Sequence, residues 1–285
     1  MEWLIGLAGS LVIAGAAYAK RSLSGSGFAA AVLLGTVLYG FGSAVWFGTL
    51  IAFFISSTLL SRWKRKAKEA AESSYEKSGR RDAGQVAANG GLALLLCVAG
   101  ALWQHPLWWY AFLGVMASVT SDTWATEIGG LSRSRPRSIL SGKHVPAGTS
   151  GGVSAVGLAA SMAGGLFIGL IGWLLFTAIP GQPDPVAGTA AGSSGWTRLA
   201  TWAVLGLVSG TIGSLADSLL GATVQTMYRC SVCGREIEQK RHCGRTAARI
   251  RGYAGWNNDA VNVAGSLAGG VAAVLLALAF YVLLP

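Results

Sequence analysis

Pro106-Leu-Trp-Trp-Tyr-Ala-Phe-Leu-Gly-Val-Met-Ala-Ser-Val-Thr-Ser-Asp-Thr-Trp-Ala-Thr-Glu-Ile128 is the stretch on which the fold turns. As a helix it reaches about 34 Å, enough to cross the hydrocarbon core of a bilayer. Its first half is apolar, and Asp122 and Glu127 come only near its end. Charged side chains inside a membrane span are expensive and mark functional positions. The same segment therefore reads both as a transmembrane helix and as one wall of a site.

Seven further apolar stretches flank it, at 3–19, 28–42, 43–60, 86–104, 151–179, 197–224 and 259–284. The second and third meet at Gly40-Phe-Gly-Ser43, a tight turn, and the fourth and fifth at Gln104-His-Pro106. The first, Trp3 to Ala19, is followed rather than preceded by Lys20-Arg21. A cleavable signal peptide has the reverse order, so this is a retained first span. Composition agrees: the 285 residues are 52% hydrophobic and only 12% charged, with a mean hydropathy of +0.51. Forty-one glycines suit helices that pack closely in lipid. The expected fold is an all-α, polytopic transmembrane bundle of about eight spans, forming a single integral membrane domain over 1–285.

The formal net charge is +10. Alone, it admits a nucleic acid, an anionic lipid surface or a phosphorylated substrate, so placement decides. Of the 22 lysines and arginines, 21 fall in the loops after spans one, three, five and seven, and only Arg198 lies near the other face. Positive-inside bias then puts those four loops in the cytoplasm, both termini outside, and the chain in the cell membrane as a multi-pass protein. No nucleic acid is expected; the bilayer itself is the partner. The loop 61–85 reads as a basic, solvated helical extension near anionic headgroups. The outer loop 180–196 reads as a flexible connection, and Trp103, Trp108, Trp109 and Tyr110 as interfacial belt anchors.

Four in-span or span-end acids stand out: Asp122, Glu127, Asp217 and Asp259. Each lies at the cytoplasmic end of its span, so three spans deliver carboxylates to one depth. The alternative is that they make caps and local ion pairs at a wet interface. Asp122 and Glu127 are about 140° apart on an ideal helix and share a site only if the helix bends or ends, which Gly129-Gly130 permits. Span seven adds Ser214 and Ser218 beside Asp217, and span eight opens with Asn258, Asp259 and Asn262. Carboxylates with amides and hydroxyls are hard oxygen ligands suited to Mg²⁺.

The cytoplasmic loop 129–150 holds Arg133, Arg135, Arg137 and Lys143 and leads into Gly148-Thr-Ser-Gly-Gly-Val-Ser154. Cations before a Gly/Thr/Ser turn that opens a helix make an anion cradle, here from Thr149, Ser150, Gly151, Gly152 and Ser154. A plain flexible turn is the competing reading. The loop 225–256 holds Cys230, Cys233, His242 and Cys243. One Cys-x2-Cys knuckle plus two adjacent candidates partly meets zinc spacing; reduced free thiols or a redox role remain open beside a structural Zn²⁺. Cys97, in the run 92–99, is a packing residue.

Taken together, Asp122-Thr-Trp-Ala-Thr-Glu-Ile-Gly129, Gly148-Thr-Ser-Gly-Gly-Val-Ser154, Gly213-Ser-Leu-Ala-Asp-Ser-Leu-Leu-Gly-Ala-Thr223 and Asn258-Asp-Ala-Val-Asn262 resemble the integral membrane family of unknown function that includes animal transmembrane protein 19 and plant phytyl-phosphate kinase. The Cys/His loop resembles it too. The resemblance implies phosphoryl transfer from a nucleoside triphosphate, CTP in the plant pathway, to an isoprenoid monophosphate such as phytyl or geranylgeranyl phosphate. In that reading the four acids hold Mg²⁺, Asn258 and Asn262 orient phosphates, and the cations with the 149–152 turn bind them. A transporter or flippase for a lipid phosphate or ion is the alternative from another class. A prenyl-alcohol kinase and a cytidylyltransferase are sister readings.

Overall fold

The computed structural model describes residues 1–64, 79–181, 184–188 and 194–283. Among them are seven helices: α1 (Glu2–Ala19), α2 (Gly25–Arg62), α3 (Ala83–Leu102), α4 (Leu107–Gly129), α5 (Ala155–Ala178), α6 (Gly195–Thr223) and α7 (Asn258–Leu283). The protein is an all-α membrane bundle. Six of these helices are long and apolar enough to cross a membrane. The seventh, α4, is as long but lowers its hydropathy with the polar run from Ser118 to Glu127.

The two spans expected at 28–42 and 43–60 form the single run α2, broken at Ser43, where φ is 74° and ψ −176°. The chain doubles back there. The Phe47 ring lies 3.1 Å from where a Gly35 Cβ would stand, and the Tyr39 and Phe47 rings are 5.5 Å apart. At the other end of the run, Ser24 donates to the Arg81 carbonyl, while Arg62 donates to the Lys20 carbonyl. A straight helix of this length would hold its ends about 57 Å apart. α2 is therefore a helical hairpin with two arms side by side.

The helix α4, Leu107–Gly129, is the axis of the molecule. From Trp109 to Ser121, α4 is buried at every position but Ala111, and it packs against α2, α3, α5, α6 and α7. A helix enclosed on all sides needs no amphipathic stripe. Glycines set the separations. A Cβ on Gly206 of α6 would meet the Gly169 backbone of α5 at 2.6–2.7 Å, and one on Gly269 of α7 would lie 2.8 Å from the Gly114 carbonyl of α4. With no hydrophobic drive between helices in lipid, such close backbone approach is the principal attraction.

Several expectations change. Trp109 and Tyr110 are not belt anchors: they are 4% and 0% exposed, while Trp103 is 63% exposed. Trp109 packs edge-on against Trp46 at 4.8 Å and against Phe176 at 4.9 Å. The described part of the outer loop is packed rather than loose. It forms the short 3₁₀ turn Pro185–Gly188, with Val186 fully buried and Asp184 paired with Arg198. That ion pair accounts for the one basic residue outside the four basic loops. The helical extension expected in 61–85 falls mainly on 65–78, outside the described residues.

The loops also carry strands. β1 (Arg137–Ser138) pairs antiparallel with β2 (Gly152–Val153). In 225–256, β3 (Met227–Arg229), β4 (Glu236–Ile237) and β7 (Ala248–Arg251) form one sheet in the order β4-β3-β7. β5 (Arg241–His242) and β6 (Arg245–Thr246) form a second hairpin.

Candidate active site

The loops after α1, α2, α4 and α6 converge at one end of the bundle on a cleft of about 620 Å³. The start of α1 lies at the other end, where Trp3 packs on Phe41 beside the α2 turn with centroids 5.1 Å apart, while α7 starts at the cleft with Asn258. The cleft is lined by Asp122 and Glu127 from α4, Asp217 from α6 and Asp259 from α7. Ser214, Ser218, Asn258 and Asn262 line it as well, as do Thr149, Ser150, Gly151, Gly152 and Ser154. Side chains remote in sequence thus share one cavity.

Short polar and small residues hold the walls together. Ser118 of α4 donates to the Gly265 carbonyl of α7 at 3.2 Å, and Ser121 donates to the Ser161 carbonyl of α5 at 2.8 Å. A Cβ on Gly265 would stand 3.0 Å from that of Asp217, so the glycine makes room for the carboxylate. α4 ends at Gly129, and the cleft reaches both Asp122 and Glu127 beside that end. Asp122 is close enough to Asp217 for their charges to interact, and Glu238 adds a third. Glu127, also on the cleft wall, accepts from the Ser61 hydroxyl of α2.

Asp217 Oδ2 is buried with no hydrogen-bond partner among the described residues. A buried polar atom left unpaired costs roughly 1–3 kcal/mol, more when charged, so native proteins satisfy such atoms. Asp122 and Asp217 interact across this cleft, and two carboxylates with an unpaired oxygen between them are donors that would fit a hard divalent cation such as Mg²⁺. Glu127 and Asp259 line the same cleft without joining them in one cluster of ligand atoms.

The cations are not those read from the sequence. Arg133, Arg135, Arg137 and Lys143 are exposed and do not line the cleft, whose basic residues, among those described, are Lys20, Arg21, Arg62 and Arg81. The β1–β2 pairing explains part of this, since Arg137 there donates to the Gly142 carbonyl at 3.0 Å. Arg81 sits behind the cleft, 5.8 Å from the Phe53 ring and 6.0 Å from that of Phe54. Burial pulls its guanidinium below the usual arginine value, and Glu127 opposes the shift; it stays cationic at neutral pH. These residues border the spans and so had served only to orient the chain.

The 148–154 turn is more braced than a free cradle. The Thr149 N–H donates to the Pro146 carbonyl at 3.2 Å, and that of Gly152 to the Thr149 carbonyl at 2.9 Å. Ser154 caps α5 through Gly157 at 3.0 Å. Gly151, with φ +81°, lies so close to Ala222 and the Ser218 carbonyl that only glycine fits. Ser150 donates in turn to the side-chain carbonyl of Gln225, and Gln225 donates to Glu238 at 2.9 Å. Glu238 lines the cleft and was missed because it lies on a loop among ordinary surface charges. Cys230, Cys233, His242 and Cys243 cluster on that same loop but do not line the cleft.

A second, apolar groove of about 60 Å³ runs between α1 and the arms of α2, bordered by Ala14, Leu34 and Phe53. It shares Arg81, Gln85 and Asn89 with the polar cleft.

Comparison with known proteins places these features in a lineage. The profile of the family described as integral membrane protein DUF92 matches residues 8–283. The Arabidopsis thaliana protein PGR is 30% identical over 89% of this chain and 88% of its own length. An uncharacterised membrane protein of Methanocaldococcus jannaschii is 32% identical over 71% of this chain and 75% of its own. The chloroplastic protein VTE6 of Arabidopsis thaliana is 26% identical over 96% of this chain and 72% of its own. No solved structure matches the chain.

Proposed function

The chain belongs to the integral membrane protein family DUF92, and from that premise we propose that it is a Mg²⁺-dependent prenyl-phosphate kinase, using CTP and working on the cytoplasmic side of the membrane. The observation that carries this reading is one cleft walled by carboxylates from α4, α6 and α7, with an unpaired buried oxygen on Asp217, and faced by Lys20, Arg21, Arg62 and Arg81. Acids of this kind hold a metal; cations of this kind hold phosphate. The family resemblance to plant phytyl-phosphate kinase and the relatedness to VTE6 support an isoprenoid acceptor.

The division of labour follows from the chemistry. An oxygen of the acceptor monophosphate attacks the γ-phosphorus of CTP, the bond from that phosphorus to the β-bridging oxygen breaks, and CDP leaves. Such a transfer needs alignment and charge neutralisation rather than a covalent enzyme intermediate. An acceptor phosphate is largely ionised near neutral pH, so no general base is required, in keeping with a cleft without histidine among its lining residues. Mg²⁺, when bound, neutralises charge on the triphosphate oxygens. Arg81 lines both the polar cleft and the apolar groove; on this reading it receives the acceptor phosphate while the first carbons of the prenyl chain enter between α1 and α2. The remainder of that chain lies in lipid. Asn258, Asn262, Ser214 and Ser218 orient phosphate oxygens.

The test is product analysis. Protein in proteoliposomes, given Mg²⁺, γ-labelled CTP and phytyl or geranylgeranyl monophosphate, forms labelled prenyl diphosphate. Monophosphate formed from the free alcohol would indicate an alcohol kinase, and a CDP-lipid a cytidylyltransferase. Sealed inside-out vesicles of the source membrane turn over added CTP and right-side-out vesicles do not. No labelled lipid with any of these acceptors would overturn the assignment.

A further inference from the structure

The residues of 225–256 that the kinase reading leaves unused form a second constellation. Cys230, Cys233, His242 and Cys243 offer one ligand atom each, and those four atoms all lie within 4.8 Å of one another. Two hairpin turns bring them together. The first joins β3 to β4: the Cys230 amide donates to the Arg235 carbonyl at 3.0 Å and that of Gly234 to the Cys230 carbonyl at 2.9 Å, with Gly234 at φ +72°. The amide of Val232 points at Cys230 Sγ, 3.4 Å away. The second joins β5 to β6 through Cys243 and Gly244, at φ +49° and +75°.

Positive φ at both central residues is the signature of a type I′ hairpin. Asparagine and glycine favour it; cysteine does not, and a non-glycine residue there needs a reason. The reason is visible. The turn lets the neighbours His242 and Cys243 face one point, although they are adjacent in sequence. His242 Nδ1 lies 3.2 Å from Cys243 Sγ and 3.4 Å from Cys233 Sγ. Tetrahedral zinc with Zn–N about 2.0 Å and Zn–S about 2.3 Å would hold such atoms roughly 3.5 Å apart.

We propose that Cys230, Cys233, His242 and Cys243 bind a structural zinc ion that staples together the two hairpins of the strand-bearing loop beside the cleft. The loop needs such a staple. Its own buried apolar cluster is only Cys230, Ile237 and Ala247, and units below about 40 residues usually need metals, disulfides or a partner. What the staple fixes is functional on the kinase reading. Glu238 follows β4 into the cleft, and Arg251 at the end of β7 donates to the Gly221 carbonyl at 2.7 Å and points at that of Ser150. The metal thus sets the register of the strands that brace the 148–154 turn against α6. Four ligands close the coordination sphere, so the ion is structural rather than catalytic.

The experiment is metal analysis of the full-length protein, purified in detergent under reducing conditions without a metal-affinity tag. One zinc per chain is expected. The variants Cys233→Ser and Cys243→Ser retain only traces, and Cys97→Ala, altered in the bundle core, keeps its zinc. In case the ligand variants fail to fold, wild-type protein exchanged with Co²⁺ is to show the visible bands of a tetrahedral thiolate site. Chelation is to expose 225–256 to protease while the helices stay intact. Wild-type protein that holds no zinc and takes up no Co²⁺, or that carries a disulfide among these cysteines, overturns the proposal. Zinc content is read without turnover. A stoichiometric zinc in protein with no kinase activity would sink the kinase reading alone, and a zinc-free active kinase would sink this inference alone.

Discussion

Arg81 was read from the sequence as one cation among many in a basic loop, yet the structure makes it the junction of the polar cleft and the apolar groove. On the proposed function, a guanidinium held there against Phe53 and Phe54 would receive the phosphate of an acceptor whose hydrocarbon enters the groove. Hydrogen bonds to charged groups are worth about 1.5–3 kcal/mol. Arg81→Ala is therefore expected to raise KM for the prenyl phosphate roughly 10- to 100-fold, and to leave KM for CTP within a few-fold in steady-state assays. The acids tell the opposite story. Asp122, Glu127, Asp217 and Asp259 were legible because charge within a membrane span is costly enough to need a purpose. The cations at span ends were not, because positive residues there are explained by topology alone. Arg133, Arg135, Arg137 and Lys143 were favoured by nearness in sequence to the glycine turn, and nearness in sequence says nothing about which way a hairpin faces.

Elements were legible in proportion to their hydrophobic signal. All eight apolar stretches became helical segments within a few residues of their expected ends, and the Gly40–Ser43 turn fell where the chain reverses at Ser43. The strands of 225–256 left no periodicity to read, since two- to four-residue strands pinned by turns and ligands lie below that signal. What composition did announce, through its glycines, was close helix packing. Not every glycine shares that duty, and a matched pair separates them. A Cβ on Gly206 would strike the backbone of α5, whereas one on Gly91 meets nothing within 4 Å. Gly206→Ala should lower stability by about 1–3 kcal/mol, as overpacking does. Gly91→Ala, in the interior of α3, should be neutral or stabilising by up to about 1 kcal/mol. Thermal unfolding in a single detergent measures both.

At the scale of the whole molecule, the fold is a device for bringing four basic loops to one end and setting carboxylates among them. The alternation of basic and neutral loops carried that information, because every second loop falls on the same face. The identity of the neighbours across the cleft was hidden, since only three-dimensional packing brings Asp122 beside Asp217 or Ser61 beside Glu127. The central claim is that these separated acids form one metal–phosphate pocket. Mn²⁺, standing in for Mg²⁺, reports on it directly by electron paramagnetic resonance. Wild-type protein with CTP is predicted to bind Mn²⁺ with phosphorus hyperfine coupling from the nucleotide. Asp122→Asn and Asp217→Asn, each folded by the same thermal criterion, are predicted to lose that coupled signal and to cut transfer by about 10²-fold or more. An unchanged manganese–phosphorus signal in both variants would contradict the account.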